Sequence, residues 1–481
     1  MPIRPERVAC FACARAPISY AHGMSDEQKA FVPTNAERRA DLARQEAELR
    51  AEIARRRKLR KIIAISVVLG AALVWLGVAV VRRVIARAEV RALLDAVRER
   101  GEPLVPADIN PPRIPDDENA AVVLVEAHEQ FKKTEKLNGR PLAEWLHQRE
   151  LRNRRATSVR ADSLDDLLAK VIATHGDTIR LLRKALGRPR FSSAAAGIQP
   201  LDASNASDTM SELLSASALN AVREGRQDEA LADIALVFDI VSFQYNDVGK
   251  QSVFRLANRD KAALETLATI AAATRCRNKE ARTVLQALDS VDFAKVATKV
   301  MVRRQADMAH RAEGLLVRWL APSIEMRAAA AQLRYMAEAV AAARQPPWVG
   351  LDKIRSLTWP TPTPTAPGMA PATPELQLIA SIVRARARRD VARVGLALEL
   401  HRSEKGDYPN SLDALAPEFL MEVPPDPFTG KPLRYVKEEK GFVVYSVGAN
   451  LTDDGGMPGT ARSVLDIPWT GGKRVGGDGS E

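Results

Sequence analysis

Cys10 and Cys13 form a Cys-Phe-Ala-Cys pair with His22 further along. Two thiolates at that spacing can hold two corners of a tetrahedral zinc site. A structural zinc takes four ligands, so the pair is half a site. Met24, opening MSDEQKA, also reads as an initiator, which would leave residues 1–23 outside the natural protein. Cys276 is the only cysteine beyond the first 61 residues, so no intrachain disulfide framework can form there. The six histidines stand at 22, 128, 147, 175, 310 and 401. None lies in an HExxH or beside a second ligand at metal spacing. No G-x-S-x-G elbow, P-loop or dinucleotide fingerprint occurs. Trp145, His147 and Arg149 read as helix packing with polar tips. The sequence therefore points away from an enzyme. Catalytic groups can still converge in space, so an exported hydrolase with its site in the helical region stays as the second reading.

The elements that would position any site begin with a membrane helix. Ile62 to Val81 is a run of 20 residues without a charge. At about 1.5 Å per residue such a helix is roughly 30 Å long, the thickness of a bilayer's hydrocarbon core. Arg55, Arg56, Arg57, Lys58, Arg60 and Lys61 precede it, while Arg82, Arg83, Arg87 and Arg91, diluted by Glu89, follow. The denser basic cluster resists translocation, which predicts a cytoplasmic N-terminus and an extracytoplasmic bulk. Ala86-Arg87-Ala88 has the shape of a signal-peptidase site. The long apolar run, its distance from the N-terminus and the intervening Arg82 and Arg83 favour an uncleaved anchor instead. The formal net charge is +11. Its Lys and Arg are spread along the chain, no nucleic-acid module is recognisable, and the anionic lipid surface is the natural partner of the membrane-flanking excess.

Asn35 to Lys61 has strong helix-former composition with interleaved Glu and Arg. Leu42, Leu49 and Ile53 are too sparse for a coiled-coil seam, so a solvated helix beside the membrane is expected. Val84 to Arg100 continues as helix and stops at Gly101. Prolines 103, 106, 111, 112 and 115 then forbid regular helix. Asp116 or Asp117 is the expected cap for the next helix, Asn119 to Lys133. Residues 120–345 carry helical periodicity, as in Leu164, Leu167, Leu168, Val171 and Ile172. ALNAVREGRQDEALADIALVFDIV (218–241) reads as an αα-hairpin turning at Gly225, with one tetratricopeptide-like unit as the alternative. QPPWVGLDKIRSLTWPTPTPTAPGMAPATPE (345–375) has eight prolines and reads as an extended spacer and domain boundary.

After the spacer comes a helix from Leu376 to Glu404, ended by Gly406 and turned at Tyr408-Pro409. YPNSLDAL, DPFTGKPLRY and FVVYSVGANLTDDGG follow, and the LRYV and FVVYSV runs alternate as an antiparallel hairpin across Lys437–Gly441. This order resembles the globular end of the major pseudopilin of type II secretion, over about a sixth of the chain. The pseudopilin leader and its adjoining apolar filament helix have no counterpart here, so the resemblance speaks to the fold of the module. The family's acidic loop binds calcium, and the resemblance carries that role to Asn450, Asp453 and Asp454. The donor chemistry is suitable, since hard Ca²⁺ takes carboxylate, amide and backbone oxygens on a chain bent by Gly.

The expected fold class is mainly α, with a single transmembrane helix, an extracytoplasmic helical domain and a small C-terminal α+β module. The expected divisions are a basic cytoplasmic tail with juxtamembrane helix (1–61), the membrane helix (62–81), and a membrane-proximal helix with Pro-rich connector (82–119). Beyond them lie the helical domain (120–345), the Pro/Thr spacer (346–375), the α+β head (376–470) and a Gly-rich tail (471–481). The function expected is that of a non-catalytic inner-membrane envelope protein that binds or scaffolds other envelope proteins, with a link to type II-like secretion. A calcium-stabilised surface-binding module is a third reading. On the basic-cluster argument, alkaline phosphatase fused after Glu481 should be active. An inactive fusion beside an active cytoplasmic reporter would reverse the orientation.

Overall fold

The computed structural model describes residues 35–105, 114–153, 161–185, 191–192, 198–246, 253–273, 279–318, 322–358, 374–458 and 466–472. The Cys10, Cys13, His22 and Met24 readings, Cys276, the 106–113 part of the Pro-rich connector, the 359–373 part of the spacer and the tail from residue 473 lie outside them. The described part is mainly helical, with one small antiparallel sheet. The chain divides into two units, residues 1–81 and 82–481.

In the first unit, helix α1 (Asn35–Glu99) begins as a charged helix carrying Glu46–Arg50 and Glu52–Arg56 pairs one turn apart. Leu42, Leu49 and Ile53 are exposed, as a solvated helix requires. The apolar run from Ile62 is also exposed apart from the half-buried Ala79, and the helix is long and apolar enough to cross a membrane.

The second unit starts where α1 acquires a buried stripe. Ala86, Val90, Leu94 and Val97 recur on one face and are nearly inaccessible. The chain leaves the helix at Gly101, whose φ of 66° is a left-handed value that glycine adopts without strain. Helices α2 (Ala120–Asn138), α3 (Pro141–Asn153) and α4 (Ala161–Ala185) follow. The cap of α2 is Asn119, where Asp116 or Asp117 was expected: its side chain accepts from the Ala121 N–H at 3.1 Å. The same fully buried amide donates to the Ser192 carbonyl and accepts from its N–H, so a tertiary tie selects it over the aspartates.

Helices α5 (Pro200–Arg223) and α6 (Gln227–Asn246) form the expected αα-hairpin, turning through Gly225 at φ 73°. Ala216, Ala218, Ala221, Ala230 and Ala235 are buried in the first of two hydrophobic clusters, and such small side chains let helices approach closely. Arg183 of α4 grips the hairpin through both oxygens of Asp233, each at 2.7 Å. Next come α7 (Val253–Ala273), α8 (Lys279–Asp289), α9 (Phe293–Val317) and α10 (Ser323–Ala343).

The supposed spacer contains a helix, α11 (Pro347–Ser356). Pro347 stands in the first turn, where no N–H is needed and its fixed φ suits the helix, so these prolines start structure instead of preventing it. Gly350, Leu351 and Ile354 are buried, and Trp348 packs on Gly430.

Helix α12 (Pro374–Lys405) is the longest element past residue 100, and 18 of its 32 residues are buried. Its first half, from Leu378 to Ala387, lies in one hydrophobic cluster with the end of α1 and with α9, α10 and α11. Its second half, from Val391 to Leu400, lies in the other cluster with α2 to α8 and the sheet. A helix apolar on so many sides must be surrounded, and α12 is. Residues on both sides of the proline segment thus share their cores within a single unit.

Beyond α12, a 3₁₀ turn (Leu412–Leu415) leads to strands β1 (Arg434–Glu438), β2 (Gly441–Ser446) and β3 (Ile467–Gly472), ordered β1-β2-β3 and antiparallel. The hairpin pairs Glu438 with Gly441 across Glu439-Lys440, a tighter turn than Lys437–Gly441 suggested. β3 extends two residues into the expected Gly-rich tail. It lies at a sheet edge, where Pro468 is tolerated. Trp469 on β3 lies against Gly395 of α12, where any larger side chain would overlap the indole.

Where the two clusters meet on α12 sits Arg389, 1% exposed. Its Nε donates to Asp260 Oδ1 of α7 at 2.8 Å, and Nη1 donates to Ser242 Oγ of α6 at 3.1 Å. Phe238, Tyr245 and Phe293 surround the guanidinium at 5.6–5.9 Å. Removing one member strands a charge in the core. Arg389→Met should therefore cost roughly 3–5 kcal/mol, whereas Arg389→Met with Asp260→Leu should recover most of it. Denaturant unfolding of the detergent-solubilised chain measures both. A double variant no more stable than the single one would show that the pair is not an isolated charge couple.

Candidate functional site

The head's polar groups are organised by Asp426, 2% exposed. Its Oδ1 accepts from the Phe428 N–H at 2.9 Å and from Ser446 Oγ at 2.8 Å; its Oδ2 accepts from the Val447 N–H at 3.0 Å. Its own N–H donates to the Lys431 carbonyl, and its carbonyl receives the Gly430 N–H. One carboxylate thus ties the DPFTG turn to the end of β2. Gly430, at φ 70°, is needed there because Trp348 occupies the space a side chain would take.

On the far side of β2 the chain runs through the loop holding the three predicted metal ligands. Asn450 Nδ2 donates to Asp454 Oδ2 at 2.7 Å, and Asn450 Oδ1 accepts from the Thr452 N–H at 3.3 Å. Asp453 Oδ1 accepts from the Tyr445 hydroxyl at 2.8 Å and the Gly455 N–H at 3.1 Å, while Oδ2 pairs with Arg434 at 3.2 Å. The Tyr445 hydrogen bond is the main reason its carboxyl lies below the usual range. Burial, first, and the Asp453 charge push the Tyr445 hydroxyl up to about 12. The structure therefore brings Asn450 and Asp454 together and holds Asp453 nearby against β1 and β2.

Sequence reasoning missed Asp466. It is 2% exposed, and its Oδ2 accepts from the Asp454 N–H at 3.0 Å and the Gly456 N–H at 2.7 Å. Its Oδ1 is buried with no hydrogen-bond partner. Burial raises its pKa first of all, and the Asp454 and Asp453 charges add to that. Its signal was a lone acidic residue before IPW, hidden because Pro468 disguised the strand. Among the described residues no group of three or more His, Cys, Asp or Glu is arranged so as to hold a metal ion. The loop's donors are nonetheless all hard oxygens, and Asp466 Oδ1 is an unfilled one, which is the chemistry calcium takes.

Of the described histidines, His175 is built into the core. His175 Nε2 lies 3.0 Å from Glu135 Oε1 and its ring stacks on Phe131 at 4.5 Å. Burial lowers its pKa, opposed by Glu135. Trp145 is buried with the Arg149 guanidinium 5.3 Å over its ring. No family model, curated protein or solved structure matches this chain.

A raised carboxyl pKa in the folded state means that ionisation opposes folding. The penalty is absent at low pH, grows as pH rises from the unfolded pKa through the folded one, and is complete above it. Asp466→Asn should therefore raise the melting temperature at neutral pH in chelator and give no gain in acid. A loss at neutral pH would show that the ionised carboxylate is favoured.

Proposed function

We propose that this chain is a single-pass, non-catalytic envelope protein, anchored in the inner membrane by residues 62–81 with its N-terminus cytoplasmic. Its extracytoplasmic unit presents a pseudopilin-like head to other envelope proteins, in a type II-like secretion setting. The observation that carries this reading is the pairing of an exposed apolar helix with a large folded unit that ends in the head. Support for the head comes from the order of its parts: helix, Tyr408-Pro409 turn, 3₁₀ turn, Asp426 turn, hairpin. Asp426 bonding to Ser446 gives a physical reason for DPF and YSVG to occur together.

Calcium belongs to the same proposal. Asn450, Asp453, Asp454 and, by its orphaned oxygen, Asp466 would hold it. The ion would add to the positive charge that Arg434 brings to this acidic loop. Bound, it would fix the loop against β2 and set the surface the head offers.

The test is affinity capture by the full-length chain from detergent-solubilised membranes, in calcium and in chelator, with melting recorded in both. Calcium at a hundred times its dissociation constant should add about 2.7 kcal/mol of stability. Asp453→Ala, Asp454→Ala and Asp466→Asn should each abolish that increment and reduce capture of envelope proteins. Equal melting in calcium and chelator would remove the metal. Capture of no envelope protein in either condition would remove the scaffold reading.

A further inference from the structure

Away from the head, α3, α5, α6 and α7 line an open cleft of about 360 Å³. That is within the range of small-molecule sites. Its wall is unlike the rest of the helical core, because arginines and small hydroxyls line it.

Arg259 of α7 is 8% exposed, and its Nε and Nη1 have no hydrogen-bond partner. Asp208 of α5 is its ion-pair partner, but Asp208 also serves Arg255, at 3.1 Å. One carboxylate is thus divided between two guanidiniums. Arg149 of α3 lines the same space, lies over Trp145 and makes no ion pair among the described residues. Ser211 contributes a buried hydroxyl that likewise has no partner. Glu212 is the second carboxylate in the wall, and burial holds it above the usual range, which softens its repulsion of an anion. Burial also brings Arg259 down to about 10, the cost of a cation short of acceptors.

A guanidinium offers five donors in a planar fork matched to carboxylate and phosphate oxygens. Buried donors without acceptors are costly, and natural interiors leave few of them. Here Arg259 and Ser211, both with unfilled donors, line the same cavity. We infer that this cavity is a binding site for a small organic anion, whose carboxylate or phosphate group is clamped between Arg149 and Arg259 and hydrogen-bonded by Ser211. Asp208 then holds Arg259 and Arg255 in position and does not compete for the ligand, since both its oxygens are turned to those two arginines. The site is independent of the calcium loop and of any partner of the head.

The experiment is isothermal titration of the full-length chain in detergent, at neutral pH and low salt, with pyrophosphate, inorganic phosphate and citrate as separate probes. The inference requires saturable one-to-one binding of at least one of them. Citrate alone would identify a carboxylate ligand, the phosphates alone a phosphorylated one, and either supports the site. Arg149→Gln and Ser211→Ala, which leave the buried Arg259–Asp208 pair intact, should weaken binding about tenfold or more, with unchanged circular dichroism. Arg311→Gln, the same charge change at an exposed position of α9, should leave affinity as it was. No saturable binding by any probe, wild-type affinity in both cavity variants, or equal weakening by Arg311→Gln would each overturn it.

Discussion

The placement of one cation governs the second unit. Arg389 is among the largest side chains buried entirely, and an arginine is tolerated there only because Asp260, Ser242 and a box of aromatic faces receive it. Those partners come from α6, α7 and α9. The guanidinium therefore fixes the rotation and register of α12 against three helices at once. Ridges and grooves of Leu, Val and Ala would allow several registers; a buried, directional charge pair allows far fewer.

Much else follows from that register. With Arg389 fixed, Gly395 faces Trp469, so β3 closes on the helix and the sheet takes its place. Val391 to Leu400 then face α7, α8 and β2, while Leu378 to Ala387 face the core built by α9, α10 and α11. The helical domain thus covers α12 along its whole length, and the sheet rests on the same helix.

Local signals carried much of the fold. The uncharged run from Ile62, the stop at Gly101, the Gly225 turn and the alternation of LRYV and FVVYSV each depend on neighbours in sequence, and each is where the residues placed it. What was hidden depends on contacts distant in sequence. Asn119 won the α2 cap because Ser192 meets it; the Pro346-Pro347 step started a helix because Leu351 and Ile354 found a core. β3 was masked by Pro468, which only an edge position permits. The same limit applied to the loop: Asn450, Asp453 and Asp454 could be named only through the pseudopilin resemblance, whereas Asp466 enters only once the sheet folds it back beneath them. The arginine-lined cavity was illegible for the same reason, since its walls come from four helices.

The central claim is that the head and the helical domain unfold as one body through α12. Native-state hydrogen exchange on the detergent-solubilised chain tests it most directly. Amides in α7, α8, α12 and β2 should share one opening free energy, and denaturant should shift them together. Hairpin amides that open at a distinctly lower free energy, while α7 and α8 stay protected, would contradict it and restore the head as a separate module.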